Sequence, residues 1–218
     1  MHLPLHARMI MMNLRISDLG IFLGQVLRAP FSIGAICPSS PRLARLMVKE
    51  SGVEQARQIV ELGAGMGVIT KEILKQKAAS AVVLSLEINP HFSRLLQKRF
   101  PEVRVISACA SKLISIARSY EVYQAQSIVS ALPWTLFDRS KQKTLLKMVH
   151  NLLADDGKFV TIACVGMQLL PSGRDFHYLL KEAFQSVETT SIVWKNLPPA
   201  FIYACAKQRN LHIDKIDT

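Results

Sequence analysis

Ile59-Val60-Glu61-Leu62-Gly63-Ala64-Gly65-Met66-Gly67 is the stretch whose reading decides the fold. An apolar run, 59–62, enters it, and residues at helical spacing, Val68, Ile69, Ile73 and Leu74, leave it. The pattern predicts a buried strand, a glycine turn and a helix start. A second apolar run, 81–86, follows and ends at Glu87. An acid about 20 residues past a glycine turn, at the tip of the next strand, is the geometry that holds a ribose diol in a nucleotide-binding βαβ unit. Each glycine has a task in that reading. Gly63 permits the sharp turn, Gly65 removes a side chain where a ligand approaches the backbone, and Gly67 lets the helix start close to the sheet. The free N–H groups of the helix start then face an anionic group.

The spacing is G-x-G-x-G, whereas the dinucleotide fingerprint G-x-G-x-x-G would place its third glycine at Val68. Glu61, an acid at the end of the strand, is also unusual for a dinucleotide site. Together, Glu61-Leu62-Gly63-x-Gly65-x-Gly67 and the later Glu87 resemble motifs I and II of the class I S-adenosylmethionine (SAM) methyltransferases. The bland alternative is a tight strand-to-helix turn with no ligand, and the acid at the expected offset argues against it.

The chain has 218 residues, a length that suits one domain with a substantial core. Lys and Arg outnumber Asp and Glu by 27 to 16, a net charge of +11, with a pI near 9.8. That balance favours a polyanionic partner, either nucleic acid or an anionic membrane surface. The mean hydropathy of +0.21 tilts the reading towards the membrane, although a core rich in Ala, Val, Ile and Leu raises it as well. Cys37, Cys109, Cys164 and Cys205 are scattered, with no C-x-x-C pair and no metal spacing among the six histidines. The expectation is therefore no metal site, and buried, reduced thiols in the cytoplasm. Pro4, Arg8 and Arg15 interrupt the N-terminal apolar residues, so this end does not read as a signal peptide. Nor does any run reach the roughly 18 apolar residues that a bilayer span requires.

From Ser17, a good N-cap, the residues Leu19, Phe22, Leu23, Val26 and Leu27 fall on one helical face. The first fifty residues hold six Lys or Arg against two acids, a local net of +4. A basic amphipathic helix outside the core motif is what a peripheral membrane protein uses. A helix packed on the domain itself shows the same stripe. Pro30 ends it, and in Pro38-Ser39-Ser40-Pro41 the Ser40 side chain caps a helix that runs to about Glu50.

Further along, Asn89-Pro90 starts a helix carrying Phe92, Leu95, Leu96 and Phe100, and a short strand at 103–106 leads to Ser107-Ala108-Cys109-Ala110. A weak helix covers about 112–119. A fourth strand begins near Gln126 and runs into Ser130-Ala131-Leu132-Pro133-Trp134. A helix from Asp138 or Ser140 follows, then an Asp155-Asp156-Gly157 turn, a strand at 158–165, a loop at 166–173 and a helix at about 174–184. Two closing strands, 186–194 and 200–206, have no helix between them. Alternating strands and helices predict an α/β fold with a mostly parallel sheet, helices on both faces and one antiparallel strand at the end. This is the pattern of the seven-stranded, Rossmann-like class I methyltransferase sheet.

On that reading SAM is the cofactor and S-adenosylhomocysteine the product. Glu61, Gly63, Ala64, Gly65 and Gly67 form the methionine cradle and the turn, and Glu87 takes the ribose hydroxyls. Ile88 covers an adenine face, Cys109 and Ala110 lie near the adenine edge, and Ser130 closes the cofactor side of the fourth strand. Many relatives carry an Asp where Cys109 stands. Adenine amino-methyltransferases of nucleic acids carry Asn or Asp, then Pro-Pro and an aromatic after the fourth strand. Ser130 to Trp134 departs from that pattern, which makes nucleic acid the less favoured partner despite the charge.

The further combination Gly34-Ala35-Ile36-x-Pro38-Ser39-Ser40, Glu87-x-Asn89-Pro90-x-Phe92, Ser130-x-Leu132-Pro133 and Asn196-Leu197-Pro198-Pro199-Ala200 resembles the bacterial phospholipid N-methyltransferases over residues 22–206. That resemblance implies methylation of the amine of phosphatidylethanolamine towards phosphatidylcholine. It also implies a cytoplasmic enzyme, peripheral on the inner face of the membrane, whose partners are an anionic membrane surface and an aminophospholipid. It divides the chain into an N-terminal helix and lid segment (1–50), a SAM-binding domain (51–207) and a tail (208–218). Pro38, Ser39 and Ser40 become lid residues, with Leu132 and Trp134 facing lid or substrate. Ser127 stands where the family's fourth strand often begins with an acid. No residue announces itself as the base; Tyr178, Tyr203, His91 and His177 are possible by type only. Two other readings stay open: an rRNA methyltransferase, favoured by charge, and a SAM-fold binding protein without activity, suggested by Cys109 and Ser127.

Overall fold

The computed structural model describes residues 39–207. The expected helix from Ser17, the Gly34 to Pro38 segment, Cys37 and the 208–218 tail lie outside the described residues. Thirteen elements follow in order: α1 (Pro41–Glu50), β1 (Gln58–Leu62), α2 (Val68–Gln76), β2 (Val82–Glu87), α3 (Pro90–Arg99), β3 (Arg104–Ser107), α4 (Leu113–Ser119), β4 (Ala125–Ser130), α5 (Arg139–Leu152), β5 (Leu153–Cys164), α6 (Pro171–Ala183), β6 (Ser186–Thr189) and β7 (Ala200–Ala206).

The strands make one seven-stranded sheet in the order β3-β2-β1-β4-β5-β7-β6. All neighbouring pairs are parallel except those of β7, which runs antiparallel to both β5 and β6. Central strands of such a sheet are covered on both faces, so their apolar runs are continuous rather than alternating. Ile59, Val60 and Leu62 of β1 are accordingly all buried, as are Val83, Leu84 and Leu86 of β2. Alternate residues feed two separate cores. Ile59, Val83, Val129 and Val160 pack with α1, α2 and α3. Val60, Leu84, Ile128 and Phe159 pack with α4, α5 and α6. Chain order reverses direction between β1 and β4, which flank each other. A crevice at the carboxyl ends of such strands is where α/β sheets take ligands.

Local chemistry sets the helix starts. Ser40 caps α1 by accepting from the Leu43 N–H at 3.2 Å, with Pro41 in the first turn. Asn89 caps α3 by accepting from the His91 N–H at 2.9 Å. Three boundaries differ from the sequence reading by three residues or more. β5 begins at Leu153 rather than Lys158, because the Asp155-Asp156-Gly157 turn is looped out of a strand that pairs with β4 on both sides of it, Ala125 with Leu153 and Ser127 with Lys158. α6 begins at Pro171, since proline suits a first helical turn. β6 stops at Thr189, well short of 194; beyond it Thr190 still bonds to Ile202 and Val193 bridges back to Ala200.

Candidate active site

The turn after β1 is built on three glycines in the left-handed region, Gly63 (φ 79°), Gly65 (φ 53°) and Gly67 (φ 79°), where a side chain is strained. Gly67 has a second reason to be glycine, and it differs from the expected one. A Cβ there would lie 2.6 Å from Leu96 Cδ2 and 2.7 Å from Phe100 Cε2, so the close neighbour is α3 and its C-cap rather than the sheet. At Gly63 a Cβ would lie 3.3 Å from Leu132 Cδ2, which places Leu132 over the turn. No side chain caps the N-terminus of α2, so its first-turn N–H groups remain available to an anion.

Glu87 is 5 % exposed and holds this turn directly. One carboxylate oxygen accepts from the Gly65 N–H at 2.8 Å and the other from the Asn89 N–H at 2.8 Å. A carboxylate has about four lone-pair positions, so two remain for hydroxyl donors after these bonds. Ile88, beside it, is 68 % exposed despite being apolar, as a residue that covers a ring face would be. Cys109 and Ala110 follow β3 and are half-buried. Hydrogen bonds from Ser111 hold the Cys109 thiol below its ordinary pKa.

Glu61 is wholly buried. It accepts from Thr70 Oγ1 at 2.8 and 3.0 Å and from Ser85 Oγ at 3.0 Å. Its carboxylate therefore ties β1 to α2 and β2 underneath the turn. Burial outweighs these hydrogen bonds and pushes the carboxyl up to about 7. Thr70 and Ser85 escaped the sequence reading. Their signal was legible as a polar residue on the inward face of α2 and another within the apolar run of β2.

The fourth-strand loop folds inward. Ser130 is buried, and its Oγ accepts from Trp134 Nε1 at 3.1 Å and from the Leu132 N–H at 3.3 Å. Trp134 is 2 % exposed and stacks on Phe176 with 4.8 Å between ring centres. This corrects the expectation of a substrate- or lid-facing Trp134: the ring fills the α5–α6 core, where its large apolar area is best buried and its N–H finds Ser130. Of the lid residues, Ser39 and Ser40 are half-buried, Pro38 lies outside the described residues, and the Ser40 N–H donates to Asn196 Oδ1 at 2.7 Å. Ser127 Oγ is buried without a partner among the described residues.

Among the possible bases, His91 is exposed at the α3 start. Tyr178 is 52 % exposed, and its hydrogen bond to Glu182 raises its pKa. Burial raises that of Tyr203, so both phenols keep their protons at neutral pH. His177 is lowered by burial and by the nearby Lys181. Its ring nitrogen Nδ1 is buried and unpartnered among the described residues.

The residues present fit SAM. Glycines line the turn, an uncapped helix start faces it, an acid stands at the next strand tip, and an exposed aliphatic side chain lies beside that acid. Comparison with known proteins agrees. No family model matches the chain. The chain is 34% identical over 191 residues to an ornithine lipid N-methyltransferase of Singulisphaera acidiphila, covering 86% of this chain and 95% of that protein. It is 26% identical over 107 residues to ribosomal RNA small subunit methyltransferase A of Thermotoga petrophila, covering 48% of this chain and 38% of that protein. Solved structures share the fold. An O-methyltransferase from Bacillus cereus in complex with SAH superposes with a TM-score of 0.62 at 16% identity, covering 86% of this chain and 91% of that one. The N-methyltransferase NodS from Bradyrhizobium japonicum gives 0.62 at 14% identity, covering 77% and 95%. With nearly its whole length matched by a relative above 30% identity, the chain belongs to the lipid N-methyltransferase family of class I SAM-dependent methyltransferases.

Proposed function

We propose that this enzyme methylates the amine of an acyl lipid at a membrane surface. The observation that carries the reading is the match, over most of both chains, to an ornithine lipid N-methyltransferase. Ornithine lipid is therefore the first substrate to test and phosphatidylethanolamine the second. SAM supplies an electrophilic methyl group on a sulfonium. The chain's own work is to place an unprotonated amine in line with that methyl and to exclude water, and positioning of this kind is worth roughly 7–11 kcal/mol. Glu87 and the Gly63–Gly67 turn would hold the cofactor, with the α2 N-terminus towards its carboxylate.

Surface chemistry supports action on a bilayer. Ile192 (37 % exposed), Trp194 (45 %) and Leu197 (80 %) present apolar area on one connecting segment, with Lys195 among them. Apolar side chains next to cations suit an interface with anionic lipid. Among the described residues no helix is long and apolar enough to cross a membrane. Methylation of a nucleic-acid base is the weaker reading, because the aromatic that would stack on an extruded base, Trp134, is in the core. Incubation with labelled SAM and detergent-dispersed ornithine lipid should give methylated lipid. Label in neither ornithine lipid nor phosphatidylethanolamine, with label in hypomethylated rRNA, would overturn the proposal.

A further inference from the structure

A cleft of about 600 Å³ opens between α6 and the β6–β7 side of the sheet, and no residue of the glycine turn lines it. Phe201 and Tyr203 form its apolar floor, and Arg174, His177 and Lys181 line its α6 side. These three lie at i, i+3 and i+7 on one helix, so they form a single stripe about 10 Å long. Among the described residues no carboxylate lines the cleft. Of the acids nearby, Asp175 pairs with Arg139 and Glu182 bonds the Tyr178 hydroxyl, while Glu188, in register with Ala204, stands on the opposite face of the sheet from Tyr203. Arg174 and Lys181 make no ion pair among the described residues.

Two further atoms at the cleft are unsatisfied. Gln168 Oε1 and His177 Nδ1 are buried with no hydrogen-bond partner among the described residues. A buried polar atom without a partner is destabilising, and Gln168 Oε1 can only accept. The cleft therefore offers an apolar floor, two unneutralised cations and at least one buried acceptor in need of a donor. A carboxylate or phosphate satisfies the cations but brings no donor.

We infer that this cleft binds an N-acylated amino acid, with its carboxylate on Arg174 and Lys181, its amide N–H on Gln168 and its first methylenes over Phe201 and Tyr203. The inference rests on the lipid reading above and narrows it to amide-linked lipids. An ornithine lipid has this constellation, a carboxylate and an acylated nitrogen on one carbon, with a free amine at the far end of the side chain. The placement also suits the chemistry. β7 stands two strands from β4, about 10 Å at the usual strand spacing. Phe201 is in register with Ala163 near the carboxyl end of β5, the same end of the sheet as the glycine turn. A lipid held here by its carboxylate and amide can extend its amine along the strand tips towards the cofactor.

The test uses two amine-free probes of equal charge and chain length, N-lauroylglycine and its ester analogue O-lauroylglycolate. Binding is read by calorimetry on the full-length protein, below the micellar concentration of either probe. The wild type is expected to hold the amide about tenfold more tightly than the ester, the worth of one recovered hydrogen bond. The Gln168→Leu variant should bring the two affinities together. Arg174→Glu with Lys181→Glu should weaken both at least about tenfold, with S-adenosylhomocysteine binding as the check that the variants are folded. No binding of either probe to the wild type, equal affinities for the two, or indifference to the charge reversal would each overturn the inference. Methyl transfer is not the readout, so a failed lipid-methylation assay and a failed cleft assay are told apart.

Discussion

Glu61 shows how far one residue's environment can move its chemistry. The unfolded chain holds this carboxyl near its ordinary 4.5, while in the folded protein burial raises it to about 7. Between those values the native state keeps a proton that the unfolded state has lost. The group's contribution to stability is therefore fully present below about pH 4.5, falls as the pH rises, and is lost above about pH 7. At 1.36 kcal/mol per unit the swing is on the order of 3 kcal/mol. Glu61→Gln should remove it: the difference in melting temperature between wild type and variant is expected to move in the variant's favour as pH rises through this window. Melting curves for the two proteins that stay parallel across the window would show that Glu61 does not titrate there. The acid itself was legible in the sequence as a motif residue. Its burial was not, because Thr70 and Ser85, the two donors that make burial tolerable, come from elements brought together only by the fold. Glu87 carries the same lesson in milder form, since the offset from the glycine turn located it and only the structure shows its two bonds to the Gly65 and Asn89 amides.

At the level of elements, the closing segment between β6 and β7 fastens the start of α1. Asn196, 2 % exposed, accepts from the Ser40 N–H and donates to the Pro198 carbonyl at 2.8 Å. These residues lie 156 positions apart, so one side chain ties the first described helix to the last loop. Asn196→Ala should cost about 1–3 kcal/mol, because it strands a donor and an acceptor in part-buried positions. A lowered urea midpoint with an unchanged slope checks this. Asn196→Asp keeps the acceptor for Ser40 and loses the donor, and an intermediate loss is expected; a wild-type midpoint in both variants would refute the tie. In the sequence Asn196 stands out only as part of a family-like turn. Helix starts that carry a side-chain cap were more legible than strand extents. Asn89-Pro90 and Ser40-Pro41 announce their helices through local capping chemistry, whereas the extra residues looped out of β5 are tolerated because β4 pairs with the strand on both sides of the loop.

For the whole molecule, the net charge of +11 and the exposed apolar segment at Ile192, Trp194 and Leu197 make a joint prediction about membranes. Binding to vesicles with anionic lipid should weaken as salt is raised, since screening shortens electrostatic reach to about 8 Å at physiological ionic strength. Trp194→Ala with Leu197→Ala should weaken vesicle binding a further tenfold or so through lost apolar burial, without changing affinity for S-adenosylhomocysteine. Co-sedimentation with vesicles measures both effects. Binding that ignores salt and the double substitution would remove the support for action at a surface. The sequence by itself determined the glycine turn, its acid partner, the alternation of strands and helices, and the closing strand pair that makes β7 antiparallel. All of these follow from short-range steric and hydrophobic periodicity, which a chain carries locally. Tertiary structure alone decided that Trp134 is core, that Glu61 is a buried tie, and that Arg174, His177 and Lys181 stand over Phe201 and Tyr203. Those outcomes depend on contacts between separate elements: Phe176 on Trp134, Thr70 and Ser85 on Glu61, and β7 brought beside α6 by its antiparallel pairing with β5. Long-range contacts of that kind leave no periodic trace in the sequence.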